Sequence, residues 1–247
     1  MRVLALLKVA SPDAESVALA ADLGITPYEA GQLVRGHLPS IVLKTADVTK
    51  VEHLLAKLRA RGNEAIACDA STVAEASAMH EFRGFRFEAD ALVSLNQNGT
   101  SERLPWEDVT TIIRATLRVA DVSVETTRER KFDLGRAVLT QGLSVSKTVT
   151  KQSVQEIEKR EPVIYLFRRS GPPWTTGESR ARYDGLGADL KPGRLENFNV
   201  LVKKLRERLP QVPYDERLVH VRSGSVELLA HLVSLSLRSG ERVGVRG

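Results

Sequence analysis

Side chains able to do acid–base, nucleophilic or metal chemistry are few in this sequence and lie far apart. The five histidines, His37, His53, His80, His220 and His231, form no i,i+4 pair on a helix and have no cysteine companions, so the ligand spacing of a zinc site is absent. Glu107 and Asp108 are adjacent, and adjacent residues of a strand face opposite ways, so the two carboxylates cannot flank one substrate. The stretch "DGLGADL" holds two glycines but no third and follows no buried parallel strand, so it reads as a turn. A phosphate loop, a dinucleotide fingerprint and a nucleophile elbow are likewise missing. The single cysteine, Cys68, can form no internal disulfide and is expected as a small buried hydrophobe in a reducing compartment. These residues predict no catalytic centre, no cofactor and no metal.

What remains is chemistry of binding. Arg128, Arg130, Lys131 and Arg136 surround Phe132 and Leu134, a mixture of cation and apolar surface suited to an acidic partner or a membrane face. The same segment also reads as an extension of two sandwich strands, or as a covered loop. Lys203, Lys204, Arg206 and Arg208 form the basic face of a helix, where charge is ordinarily solvated. Near the C-terminal end, Leu228, Leu232 and Leu235, with Leu229 and Val233, make an apolar stripe that must be buried within the chain, against a partner or against a twin subunit. The expected partner-binding set is therefore Arg128, Arg130, Lys131, Phe132, Leu134, Arg136, Leu228, Leu232 and Leu235. Single-stranded nucleic acid would call for exposed aromatics beside the cations, whereas Phe82, Phe85 and Phe87 alternate as sandwich residues do.

These side chains must be placed by recognisable elements. "VLALL" reads as a first strand. Ser11, Pro12 and Asp13 start a helix that Gly24 stops. In "GITPYEAGQLVRG" Thr26 and Glu29 can satisfy each other's orphan amides in a capping box, and Gly36 ends the helix, so its glycines require no ligand. "PSIVLKT" is a strand. Val48, Val51, Leu54, Leu55 and Leu58 mark a helix closed by Gly62, and "NEAIACD" is a third strand. The order is β-α-α-β-α-β, a small layer of helices on a sheet. Residues 71–78 read as a linker. Beyond them the chain alternates in the manner of strands, with "QNG" as a hairpin turn. A helix follows from Arg194 to Leu209, with Leu195, Phe198, Leu201, Val202, Leu205 and Leu209 on one side. A last amphipathic segment runs from Val226 to Leu237, before a mobile tail.

On "LGITPYEAGQLVRG" and "LLAKLRARGNEAIA", the first 70 or so residues resemble the C-terminal domain of the bacterial ribosomal stalk protein, a fold shared with the Clp protease adaptor family. The lysine by which the stalk helix contacts translation factors is Gly31 here. The resemblance thus implies a small domain that binds proteins, without the translation-factor contact. On "RLPWEDVTTI" and the helix "LENFNVLVKKLRERL", residues 80 to 210 or so look like a pleckstrin-homology-like domain, a β-sandwich closed by one C-terminal helix. Lipid-binding members place paired basic residues across the first hairpin. Here Arg83 and Arg86 are followed by Glu88 and Asp90, which speaks against phosphoinositide.

Composition sets the outer bounds. A chain of 247 residues, 42% hydrophobic and 27% charged, has room for two domains with real cores. Its excess of 36 basic over 31 acidic residues gives +5, a mild bias toward anionic partners. No apolar run approaches a membrane span, and the N-terminal apolar run is too short for a signal-peptide core. The expectation is a cytoplasmic α+β protein: a stalk-like domain at 1–70, a linker at 71–78, a pleckstrin-homology-like sandwich at 79–212, and a separate helix and tail at 213–247. Its expected work is that of a non-enzymatic adaptor or scaffold binding other proteins. The alternative is a peripheral binder of anionic surface, membrane lipid or nucleic acid, through 128–136 and the basic helix face. Oligomeric state is left open.

Overall fold

The computed structural model describes residues 1–95, 100–132, 146–221 and 225–243. It divides into two compact units: Met1–Leu117 with Glu161–Gly247, and Arg118–Arg160. The second unit consists, as described, of the far parts of two neighbouring strands, β8 (Val109–Phe132) and β9 (Ser146–Arg168). All that follows concerns the first unit, an α+β fold with three sheets among its described residues.

The N-terminal elements are β1 (Arg2–Lys8), α1 (Pro12–Leu23), α2 (Pro27–Arg35), β2 (Ser40–Thr45), α3 (Val48–Ala60) and β3 (Glu64–Asp69). Local chemistry accounts for most of their boundaries. Ser11 occupies the cap position of α1, but its hydroxyl makes no cap bond; its carbonyl accepts from the Glu15 amide at 2.9 Å. Gly24 ends α1 at φ 70°, a conformation that costs a residue with a Cβ about 1 kcal/mol or more. The capping box of α2 is complete: Glu29 N–H donates to Thr26 Oγ1 at 3.2 Å, and Thr26 N–H donates to the Glu29 carboxylate at 2.8 Å.

β1 lies at the centre of a sheet of order β2-β1-β3, antiparallel to both neighbours. Its run of apolar residues shows no polar alternation because both of its faces are buried. Leu4 and Leu6 pack with Leu19, Val34, Leu54 and Leu58 of the three helices. Val3, Ala5 and Leu7 face the other way, into a second cluster with Ile66 and Cys68 of β3.

The cover on that second face comes from the far end of the sequence. Helix α5 (Val226–Val243), numbered after α4 (Arg194–Arg208), contributes Leu228, Leu229, Ala230, Leu232 and Val233 to the same cluster. So do Ile113 and Ala115 of β8 and Val163, Tyr165 and Phe167 of β9. These two strands belong to a five-stranded sheet of order β11-β8-β9-β10-β4, with β4 at His80–Glu81, β10 at Trp174–Gly177 and β11 at Tyr214–Leu218. Alternation in β9 then delivers Ile164 and Leu166 to the opposite face. There they meet Phe82, Phe85, Trp174, and Phe198 and Leu201 of α4. A third sheet, β5 (Gly84–Phe87), β6 (Ala91–Leu95) and β7 (Ser101–Pro105), is antiparallel throughout and closes this last layer.

Several expectations need correction. The residues 213–247 are not a separate appendage: α5 is walled in by both large sheets, so the 1–70 and 79–212 segments share a dry interior. Residues 71–78 are no free linker, since Val73 and Ala74 pack on that interior and 3-10 turns form at Ala70–Thr72 and Ala76–Ala78. Leu195 is exposed at 52% and does not join the buried side of α4, whose inward residues are Asn197, Phe198, Leu201, Val202 and Leu205. The "QNG" turn and the last four residues of the tail lie outside the described residues.

Candidate functional site

The structure treats the predicted partner-binding residues in two ways. Leu228 is 8% exposed and Leu232 is fully buried, while Leu235 packs against the same cluster. The stripe is therefore consumed inside the chain, which corrects its assignment to a partner. Arg128, Arg130, Lys131 and Phe132 fall in the far part of β8, and Leu134 and Arg136 lie outside the described residues.

The cations of α4 also have partners within the chain, although the exposed Lys203–Glu207 pair is worth little. Lys203 pairs with Glu207 at 3.7 Å and Lys204 with Asp189 at 2.5 Å. The Arg206 guanidinium sits 4.3 Å from the centre of the Tyr214 ring, and Arg208 donates to the Glu88 carbonyl at 2.9 Å. Four cations that looked like a polyanion surface in sequence each have a partner within the chain.

A different place stands out. Along β2 runs a cleft of about 720 Å³, lined by the last turn of α2, the loop that follows it, the strand itself, and Val221 and Leu229. Several local features build it. The α2 helix ends at Gly36, where the extended backbone leaves no room for a side chain, since a Cβ would meet the Gln32 carbonyl at 2.7 Å. A cis Leu38–Pro39 bond then leads into β2, with Pro39 buried. Ser40 Oγ donates to the Leu33 carbonyl at 2.7 Å, tying the loop to the helix. Leu229 of α5, 1% exposed overall, contributes to the apolar part of the lining.

The full charges of this lining have one sign. Arg35 and Lys44 are exposed along it beside His37, and among the described residues no carboxylate lines it. The His37 and His220 rings lie 6.3 Å apart. Arg35 reaches Asp13 of α1 at 2.7 Å, an ion pair between two exposed side chains and hence worth little. Three other clefts each carry acid: Glu107 beside Trp106 and Arg169, Glu207 and Glu216 beside Arg206, and Glu75 and Glu227 beside Leu228.

Among the described residues no group of three or more His, Cys, Asp or Glu side chains is placed to hold a metal ion, and no helix is long and apolar enough to cross a membrane. His80 is a half-buried titratable group on β4. Burial pushes its pKa below the ordinary histidine value, outweighing the opposite pull of Glu102, whose Oε2 lies 3.2 Å from Nδ1, while Arg168 adds to the lowering. The His80 ring packs 4.3 Å from Trp174. Cys68 is buried, and its thiol is pushed up by that burial.

Compared with family models, with curated proteins and with solved structures, the chain matches none.

Sequence reading missed the cleft. Its cations are single residues on two different elements, and Val221 and Leu229 arrive from more than 170 positions away. One signal was available: "VLALL" is wholly apolar and "SIVLKT" carries a lysine, which makes the first strand central and the second an edge.

Proposed function

We propose that this chain is a non-enzymatic cytoplasmic adaptor, and that it binds another protein through the cleft along β2. The observation that carries the reading is the composition of that cleft: an apolar floor and a cationic rim with no carboxylate among its described residues, beside an edge strand. Such a combination of apolar area with polar groups of one sign is what recognition surfaces provide. The likeness of the first 70 residues to the stalk and Clp-adaptor domains, and of residues 80 to 210 to pleckstrin-homology-like domains, supports the same class of work. An anionic lipid or nucleic-acid surface, bound through 128–136 and the basic face of α4, is the second reading; of its two parts, the α4 cations each have a partner within the chain.

The test compares proteins retained from native cytosol by the wild-type chain, by an Arg35→Glu/Lys44→Glu variant and by a Lys203→Glu/Lys204→Glu variant. A discrete set of proteins retained by the wild type and the α4 variant, and lost from the cleft variant, is the expected result. Equal retention by all three, or recovery of lipid or nucleic acid alone, would refute the reading.

A further inference from the structure

We infer that the β2 cleft takes its partner as a short, extended, acidic segment that hydrogen-bonds to the free edge of β2 as a fourth strand of the sheet. This rests on the cleft being a protein-binding surface, and it adds the backbone mode and the charge of what binds.

Three observations lead there. β2 stands at the edge of its sheet, with β1 on one side. On its other side the main-chain groups of Ile41 to Lys44 bond to no other described residue. Unpaired amides and carbonyls beside an apolar floor are a template for another strand. The opposite edge differs, for on β3 the Arg59 guanidinium donates twice to the Ala65 carbonyl, at 3.1 and 3.0 Å. One edge of this small sheet is thus blocked by a side chain and the other is left open.

Charge then selects the occupant. Arg35 and Lys44 flank the open edge, with no carboxylate among the described residues of the lining, so an acidic segment gains at both cations and a basic one is repelled. A second copy of this chain fits poorly, because pairing β2 with itself would set Lys44 and Arg35 against their own kind. The shape of β2 points the same way. Leu4 pairs with Leu43 and Ala5 with Ile41, leaving Val42 as an extra residue, a bulge. Bulges and edge lysines discourage long flat ladders while leaving room for a brief one. Length, charge and open backbone together describe a short acidic strand.

The probe is a fluorescein-labelled octapeptide of alternating valine and glutamate, titrated with the full chain and read by fluorescence anisotropy. Its companions are a valine–lysine octapeptide and two N-methylated forms of the acidic one, methylated either at every valine or at every glutamate. Successive amides of a strand point to opposite edges, so strand addition requires that one N-methylated form loses binding and the other keeps it. The lysine peptide, and the acidic peptide on Arg35→Glu/Lys44→Glu, should bind at least about tenfold more weakly than the parent pair. The amides of Ile41 to Lys44 on the open edge should exchange more slowly when the acidic peptide is bound.

Equal binding of both N-methylated forms overturns strand addition, and binding of the lysine peptide as tight as the acidic one overturns the charge assignment. Failure of the acidic peptide to bind at all, or dissociation of a homodimer by it in sedimentation, overturns the proposal outright. None of these results touches the cytosolic retention comparison, so the cleft can stand as a protein-binding surface even where strand addition fails.

Discussion

At the scale of single residues, the N-terminal elements hold a buried charge network whose energetics can be checked. The Glu15 side chain is 3% exposed and accepts from Arg61 at 2.7 and 2.9 Å and from Asn63 Nδ2 at 2.6 Å. Arg61 also reaches Asp22 at 2.8 Å, and Lys57 reaches the same carboxylate at 2.7 Å. Burial works to raise the Asp22 pKa, but hydrogen bonds from Lys57 and Arg61 outweigh it and hold the group below its ordinary value. Arg61→Ala leaves Glu15 buried without its main countercharge and should destabilise the fold by roughly 3 kcal/mol, measured as a shift of the urea midpoint at constant slope. Acid should act on His231 with a defined sign. Burial first, and Arg238 second, hold its pKa below 6.5, so the unfolded chain binds this proton more readily than the folded one. The stabilisation is complete above about pH 6.5 and is lost as the pH falls through that value toward the depressed one. His80 contributes with the same sign. Urea midpoints taken near pH 7.5 and near pH 5.5 should differ in favour of the higher pH, and His231→Phe should narrow the gap.

At the scale of elements, what could be read in advance was what depends on neighbouring residues. Caps, stops and helical spacing lie within four residues of one another; the Thr26–Glu29 box and the left-handed Gly24 formed as the residues require, and Val51, Leu54 and Leu58 of the α3 stripe are buried while Val48 is exposed. The partner of a long-range apolar face is not encoded nearby, and for that reason α5 was mistaken for a docking element. In hindsight "VLALL" and "VIYLF" held the warning: a strand without polar alternation has two buried faces, and helices α1 to α3 cover only one face of β1. The run Leu228-Leu229-Ala230, followed by Leu232 and Val233, is also too broad for a helix with one wet side. Leu232, fully buried among both sheets, should cost about 3 kcal/mol when replaced by Ala. In thermal melts this loss should appear as a lower midpoint for the whole protein, with the partner set retained from cytosol unchanged below that temperature. The cleft was illegible for a related reason, since an edge exists only once the strand order is known.

At the scale of the molecule, the shared interior decides how the protein comes apart. Val3, Ala5, Leu7, Ile66 and Cys68 from the first seventy residues lie in one cluster with Ile113, Val163, Tyr165, Phe167 and the α5 leucines. Removing either side strips the other, so the unit formed by Met1–Leu117 and Glu161–Gly247 should lose its structure in a single cooperative transition. Calorimetry should therefore give one endotherm for these residues, in place of the two that separate domains at 1–70 and 79–212 would give. A fragment ending after Thr72 should bind a hydrophobic dye and self-associate, because its sheet would present an uncovered apolar face to water.

The position of α5 in the chain also sets a timetable for birth on the ribosome. β1 and β3 are finished by Asp69, yet the helix that shields their outer surface starts at Val226. At ordinary elongation speeds, on the order of ten seconds of synthesis separate the two. Throughout that interval the nascent N-terminal sheet is half clothed, which makes it a natural client for holdase chaperones and exposes it to neighbouring polysomes. Synonymous changes that slow translation between codons 70 and 226 should lower soluble yield without altering a single residue of the finished protein.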